Sequence, residues 1–204
     1  MIEETLINSF YSLTRVSIGL SLAVIFGITL GFLRSSLPLS VQRNFLINFL
    51  LDAPKFPPPI AWIPFVILLF GIGEFASYII VLIGAISPIF TATYDSILRL
   101  PIHLSEAADS LELKGIDRFL NFTFPACLPE IFSGFKSGAS MGWMSVIAAE
   151  MISGQSGLGY SIQLNRLNLQ YDAMIIDIFM IGVIGFLIFR VTHMMEKIII
   201  PWKN

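Results

Sequence analysis

The 204-residue chain has little of what builds a catalytic centre or a nucleic-acid surface: one cysteine, two histidines and only 13% charged residues. Cys127 has no partner for an intrachain disulfide, and with His103 and His193 it forms no cluster at metal-ligand spacing. A small packed residue is the expected role of that thiol. The formal charge of −2 comes without any run of Lys or Arg, which excludes the basic face that nucleic acid requires. No G-x-x-x-x-G-K-[ST] phosphate loop occurs, so no nucleotide site of that type is encoded. Paired acids, or a nucleophile with a nearby base, are missing from the apolar stretches, and a membrane enzyme is therefore unsupported.

What fills the chain is apolar. A hydrophobic content of 55% and a mean hydropathy of +0.81 exceed what an ordinary globular surface carries, and bilayer is the expected solvent. At this length one domain, residues 1–204, is expected. The first apolar stretch is too long for a secretory leader and no small-residue cleavage pattern follows it, so it reads as a retained span.

Crossing the hydrocarbon takes about 20 apolar residues of helix, and five stretches qualify: about 11–33, 44–71, 75–97, 130–152 and 173–195. An odd number of spans puts the termini on opposite sides. Arg34 and Arg43 follow the first span, Arg99, Lys114 and Arg118 the third, and Lys197 and Lys203 the last, which marks that side as cytoplasmic. The other side carries Glu3, Glu4, Glu74 and the loop 153–172, whose only basic residue is Arg166. The N-terminus is therefore expected outside and the C-terminus in the cytoplasm.

The second stretch holds Pro54, Pro57, Pro58, Pro59 and Pro64, each removing a backbone donor. Broken backbone at membrane depth is tolerated only against protein or water. Pro59, Trp62 and Pro64 are accordingly candidate pathway or gate residues. Glycines four apart, Gly27 and Gly31, then Gly134, Gly138 and Gly142, permit close helix approach, in the same chain or in a second copy. Gly138 and Gly142 join the pathway or gate candidates. Arg15, Lys136, Glu150 and Asp177 are the charged candidates within the spans, all near span ends; Lys136 is expected to reach water and Asp177 to be paired by neighbours. Glu150 lies about 30 Å along its helix from Glu130, which favours a gate or an external contact over a central site. The glycine-rich SGQSGLGYSI segment is expected to form tight turns, with exposed amides for an anion as the sharper alternative.

Residues 106–129, EAADSLELKGIDRFLNFTFPACLP, form a polar island between apolar stretches. Ser105 is expected to cap a helix with Glu106 and Asp109 in its first turn. Leu104, Ala107, Ala108 and Leu111 share one apolar face. Interfacial helices usually have a basic polar face, and this one is acidic, so protein docking is favoured over lipid.

The EAA at Glu106–Ala108 with Phe124 and Pro125 resembles the cytoplasmic loop of permease subunits of bacterial ATP-driven, binding-protein-dependent importers. SLTRVSIGL, PPPIAWIPFVILLFGIG and AAEMISGQSGLGYSI resemble segments of the nitrate, sulfonate, taurine and bicarbonate branch. The resemblance implies an all-α, polytopic type I importer permease with a coupling helix in the loop 99–129, between spans three and four. Glu106, Ala107, Ala108, Leu111 and Pro125 are its expected ATPase-coupling residues. Implied partners are cytosolic ABC ATPase subunits, which bind ATP and Mg²⁺, a second permease copy as a homodimer, an extracytoplasmic solute-binding protein and membrane lipid. No cofactor is expected in this chain, and the subunit itself is expected to be non-catalytic. The implied cargo is a small anion carried across the bacterial inner membrane. Related permeases carry a neutral or cationic pyrimidine vitamin precursor, and a scaffold without transport is the remaining alternative. Two departures stand out: Glu112 occupies the usual loop glycine, and Phe122 and Phe124 replace an aliphatic pair. Gly115 is then expected to end the first loop helix, lengthening it by about a turn. Members of the branch often begin with one further apolar helix ahead of the segment matching SLTRVSIGL.

Overall fold

The computed structural model describes residues 2–42 and 44–203; Arg43, counted above on the cytoplasmic side, lies outside them, as do the side chains of Pro54, Ser105, Ala107 and Lys203. Ten α-helices and no strands occur among the described residues. They are α1 (Ile2–Ser36), α2 (Leu39–Gln42), α3 (Phe45–Asp52), α4 (Pro59–Phe70), α5 (Glu74–Leu98), α6 (Ile102–Ser110), α7 (Gly115–Arg118), α8 (Phe124–Ser153), α9 (Leu158–Leu167) and α10 (Tyr171–Ile199).

Three helices, α1, α5 and α10, are long and apolar enough to cross a membrane by length and composition. α1 is favoured at both ends by its own charges, with Glu3 and Glu4 in the first turn and Arg34 in the last. α8 is equally long, but its sequence is diluted by Gly, Ser and charge, and one flank is deeply buried: Ile131, Gly134, Gly138, Val146 and Glu150 all face protein. On that flank, chain packing takes up the polar groups.

The second expected span is corrected by the structure. Instead of one helix over 44–71, α3 and a 3-10 turn (Ala53–Lys55) are followed by a break and then by α4. Twelve residues of α4 rise only about 18 Å, short of the hydrocarbon thickness. The prolines cause the break. Pro58 is extended (φ −61°, ψ 147°), Pro59 starts α4 where no amide donor is needed, and Pro64 is tolerated one turn further in.

α5 is the centre of the bundle, with α1 on one side and α8 on the other. Glycines set both distances. A Cβ placed at Gly31 would stand 2.6 Å from Thr93 Cβ, and at Gly27 2.9 Å from Ile89 Cγ2, both on α5. On the other flank a Cβ at Gly134 would meet Ala92 Cβ at 2.5 Å and the Pro88 carbonyl at 2.8 Å. Gly138 would meet the Ala85 carbonyl at 2.9 Å. Both glycine stripes are thus used within the chain, and Gly138 and Gly142 sit in the α5–α8 contact. Ala23, Ala85 and Ile89 fill the seam between α1 and α5, and Val81, Trp143, Val146 and Ile184 extend the core to α10. In a medium where lipid tails are as apolar as Leu, such close packing is what holds helices together.

Gly134→Val is expected to lower stability by about 1–3 kcal/mol through overpacking, whereas Gly182→Ala, which meets nothing within 4 Å, is expected to be neutral or mildly stabilising. Thermal unfolding of the purified chain in detergent checks both.

Candidate functional site

One end of the bundle gathers the start of α1, the turn between α4 and α5, and the connection from α8 to α9. There Arg15, 3% exposed, places every N–H of its guanidinium. Nε donates to Glu74 at 2.7 Å, Nη2 to Glu74 and to Ser156 Oγ, and Nη1 to Glu150 at 2.8 Å and to the Ser156 carbonyl at 2.6 Å. The Glu150 side chain is fully buried, and its second oxygen accepts from the Ser12 hydroxyl at 2.9 Å and from the Gly159 amide at 3.0 Å. Asn8 accepts from the Gly157 amide and Ser12 from the Leu158 amide, each at 3.0 Å. The amides of Gly157, Leu158 and Gly159, at the start of α9, are therefore taken by side chains of α1 and α8. Gly157 has φ +103°, and a Cβ there would lie 2.3 Å from the Glu150 carboxyl carbon, so this glycine is required both by backbone and by space.

Asp177 lies beside this clasp, fully buried. It accepts from Thr5 at 2.9 Å, Ser161 at 2.6 Å and Asn165 at 2.8 Å, joining α10 to α1 and α9 through hydroxyls and an amide. A broad cavity of about 720 Å³ opens next to it, lined among others by Glu4, Asn8, Asn165 and Asp172. Its acids make it a poor seat for an anion.

At the opposite end Lys136 is not simply reaching for water: Nζ is 2.6 Å from Glu196 of α10. The same end carries the loop between α5 and α8. Here the expected cap is corrected, because α6 starts at Ile102 directly after Pro101, which puts Ser105 within the helix. Ala108 is fully buried, while Leu104, Glu106 and Leu111 are exposed, so the apolar face is only partly used by the chain. The expected lengthening of α6 is also corrected. α6 ends at Ser110, and Glu112 itself adopts the left-handed conformation, φ +54°. The Leu113 amide bonds to the Ala108 carbonyl at 3.2 Å and the Glu112 amide to Asp109 at 3.0 Å, the paired bonds of a Schellman turn. Gly115, also at φ +54°, opens α7 instead.

Arg118 of α7 pairs with Asp109 of α6, locking the two arms together. A π-helical turn (Phe119–Thr123) then leads into α8, with Pro125 in its first turn rather than in the loop. Phe119 packs edge-on to Phe32 of α1 at 4.9 Å between centroids, and Phe124 lies 6.1 Å from Phe32. Of the two aromatic residues that replace aliphatic ones, Phe124 thus joins Phe119 in fastening the loop to α1.

Of the expected pathway residues, Pro59, Trp62 and Pro64 come together on α4, Gly138 and Gly142 lie in the α5–α8 seam, and Glu150 sits in the clasp. The clasp as an assembly was missed by sequence reasoning. Its signal was available: Arg15, Glu74 and Glu150 all fall at the same end of the spans.

An all-helical bundle containing long apolar helices is the fold of a type I importer permease. Over residues 19–200 the chain matches the family described as "binding-protein-dependent transport system inner membrane component", and it belongs to that family. It is 30% identical to the nitrate import permease protein NrtB of Synechocystis sp. over 96% of this chain and 70% of that protein. With the taurine transport system permease protein TauC of Escherichia coli it shares 28% identity over 95% of this chain and 69% of that protein. Among solved structures, the inward-facing MetNI methionine ABC transporter has the same fold, with a TM-score of 0.78 at 16% identity, covering 98% of this chain and 97% of that one.

Replacing Arg15 with Met leaves Glu150 as a buried unpaired carboxylate and is expected to cost about 3–5 kcal/mol; adding Glu150→Gln is expected to recover part of it. Melting temperatures of the single and double variants test the coupling. Glu112→Gly removes a left-handed non-glycine residue, at about 1–2 kcal/mol per residue, partly offset by the added freedom of the unfolded chain. A small rise in melting temperature is expected.

Proposed function

We propose that the chain is the membrane subunit of an ATP-driven importer for a small anion of the nitrate, sulfonate, taurine or bicarbonate class. Two copies form the pathway, each with five passes, the second made by the broken segment from α3 through α4 rather than by one helix, with the N-terminus outside and the C-terminus in the cytoplasm. A separate ABC ATPase holds ATP and Mg²⁺ and grips the loop between α5 and α8. A solute-binding protein delivers cargo at the clasp end.

The observation that carries this reading is the build of the loop. α6 and α7 are joined by a hydrogen-bonded turn and an ion pair, and the aromatic contacts to Phe32 tie the return arm to α1. A lever made this way conveys a domain movement without absorbing it. It also presents Ile102, Leu111 and Ile116 outward, each more than 70% exposed, which is apolar surface suited to a protein cleft. Glu106, exposed beside them, supplies register more than affinity, since an exposed ion pair contributes only about 0–1 kcal/mol.

A second feature supports the pathway. Ser133, Ser137, Ser140, Met141 and Met144 form the uncovered face of α8, opposite the glycines that pack on α5. Ser137 and Ser140 satisfy their hydroxyls on their own helix carbonyls, which leaves a mildly polar, unobstructed wall. Such a face suits water and a facing second copy better than lipid.

Ile102→Asp together with Leu111→Asp is expected to abolish co-purification of the cytosolic ATPase and ATP-driven uptake, with the melting temperature of the permease unchanged. Retention of the ATPase by this variant would overturn the assignment of the loop.

A further inference from the structure

A second, smaller cavity of about 280 Å³ lies between α1, α4 and α5, close to the proline break. Its walls are aliphatic, closed by the ring of Phe90, and its polar lining consists of Lys55, Trp62 and Ser87. All three carry hydrogen-bond donors, and the ammonium and the indole carry nothing else. Among the described residues, no carboxylate lines it.

The charge balance around the cavity is positive. Lys55 Nζ lies 2.6 Å from Asp52, and Arg34 Nη1 lies 3.1 Å from the same oxygen. Two cations thus share one carboxylate, a net charge of +1. The remaining partners of these groups are neutral: Asn48 accepts from Arg34 at 3.0 Å, the Tyr94 ring lies 4.3 Å from the guanidinium, and the Phe90 ring lies 4.5 Å from Lys55 Nζ. An excess positive charge beside low-dielectric walls draws in an anion.

The third observation is an omission in the hydrogen bonding. The Trp62 indole N–H is the one buried side-chain nitrogen or oxygen without a partner among the described residues. Leaving a buried donor unmet costs about 1–3 kcal/mol, and phenylalanine would fill the place without that cost. Ser87, on the neighbouring face of α5, likewise makes no hydrogen bond to another described residue. Donors without acceptors, next to uncompensated positive charge, describe a site waiting for an acceptor that the chain does not provide.

We infer that this cavity is a transient binding site for a small oxyanion inside the permease, held by the Lys55 ammonium, with the Trp62 N–H and the Ser87 hydroxyl turning onto the anion's oxygens. The N–H is covered in this state, so the indole moves when the site fills, a rotamer change common on binding. At 280 Å³ the cavity is at the lower edge of ligand pockets, about 300–1,000 Å³, and suits a compact ion rather than a bulky nutrient. The inference rests on the importer reading for its biological meaning. It names the anion chemistry at a place inside the permease, apart from the receptor.

The test uses the intact chain in lipid nanodiscs, with tryptophan emission titrated against methanesulfonate, and against tetramethylammonium as the cationic control. A saturable change with methanesulfonate alone is expected. Trp62→Phe is expected to abolish it with a melting temperature no lower than that of the unaltered chain, Lys55→Gln to shift the midpoint at least tenfold, and Ser87→Ala to shift it severalfold, the last two with unchanged melting temperatures. Arg34 stays on Asp52 in Lys55→Gln, so a folded variant with lowered charge is retained. A linear response, an equal response to tetramethylammonium, or a midpoint unaffected by Lys55→Gln would overturn the site. The readout needs no ATPase, so loss of ATPase co-purification from the unaltered chain would overturn the importer reading separately.

Discussion

The structure depends on the full engagement of the Arg15 guanidinium at one end of the bundle. A cation at that depth is tolerated only when its donors are met inside the protein, and Glu74, Glu150 and Ser156 meet them all. Glu74 remains half exposed while Glu150 is sealed, so the clasp has one wet side and one dry side. Water can reach its rim but not its centre. Through Glu150 the same charge reaches the amide of Gly159, and so the orientation of α9 follows from a residue more than 140 positions earlier.

The two ends of the molecule are built on different principles. At the clasp end, polar side chains from α1, α8, α9 and α10 interlock, and backbone amides are part of the network. At the loop end, rigidity comes from a hydrogen-bonded turn, one ion pair and a trio of phenylalanines. Between them the helices meet through glycine and alanine, with little side chain to deform. The contacts between these helices are therefore close and leave little room to yield. α10 is the exception, since little of its apolar length is covered; it is pinned near its ends by Asp177 and by Glu196.

Much of this was legible in the sequence because membrane helices announce themselves by composition. The long apolar stretches containing α1, α5 and α10 needed only a length criterion. The proline cluster announced a break but not its position, since Pro64 fits within a helix while Pro58 does not. α9 was hidden, because a ten-residue polar helix has no periodic signal strong enough to stand out and forms where Asn8, Ser12 and Glu150 supply its terminal acceptors. Glu150 and Asp177 were recognised individually, but which groups satisfy them is a matter of tertiary neighbours. The cavity beside Lys55 had no sequence signature at all, as Arg34, Asp52 and Ser87 are far apart in the chain.

The turn at Glu112 carries a lesson about how such loops diverge. The left-handed corner is held by two backbone bonds that belong to no particular side chain, and so the shape outlives the glycine that ordinarily makes it easy. Replacement there alters the ease of folding while the outline of the corner stays the same. A residue other than glycine is therefore compatible with this corner, and a search that insists on glycine would pass such a chain by.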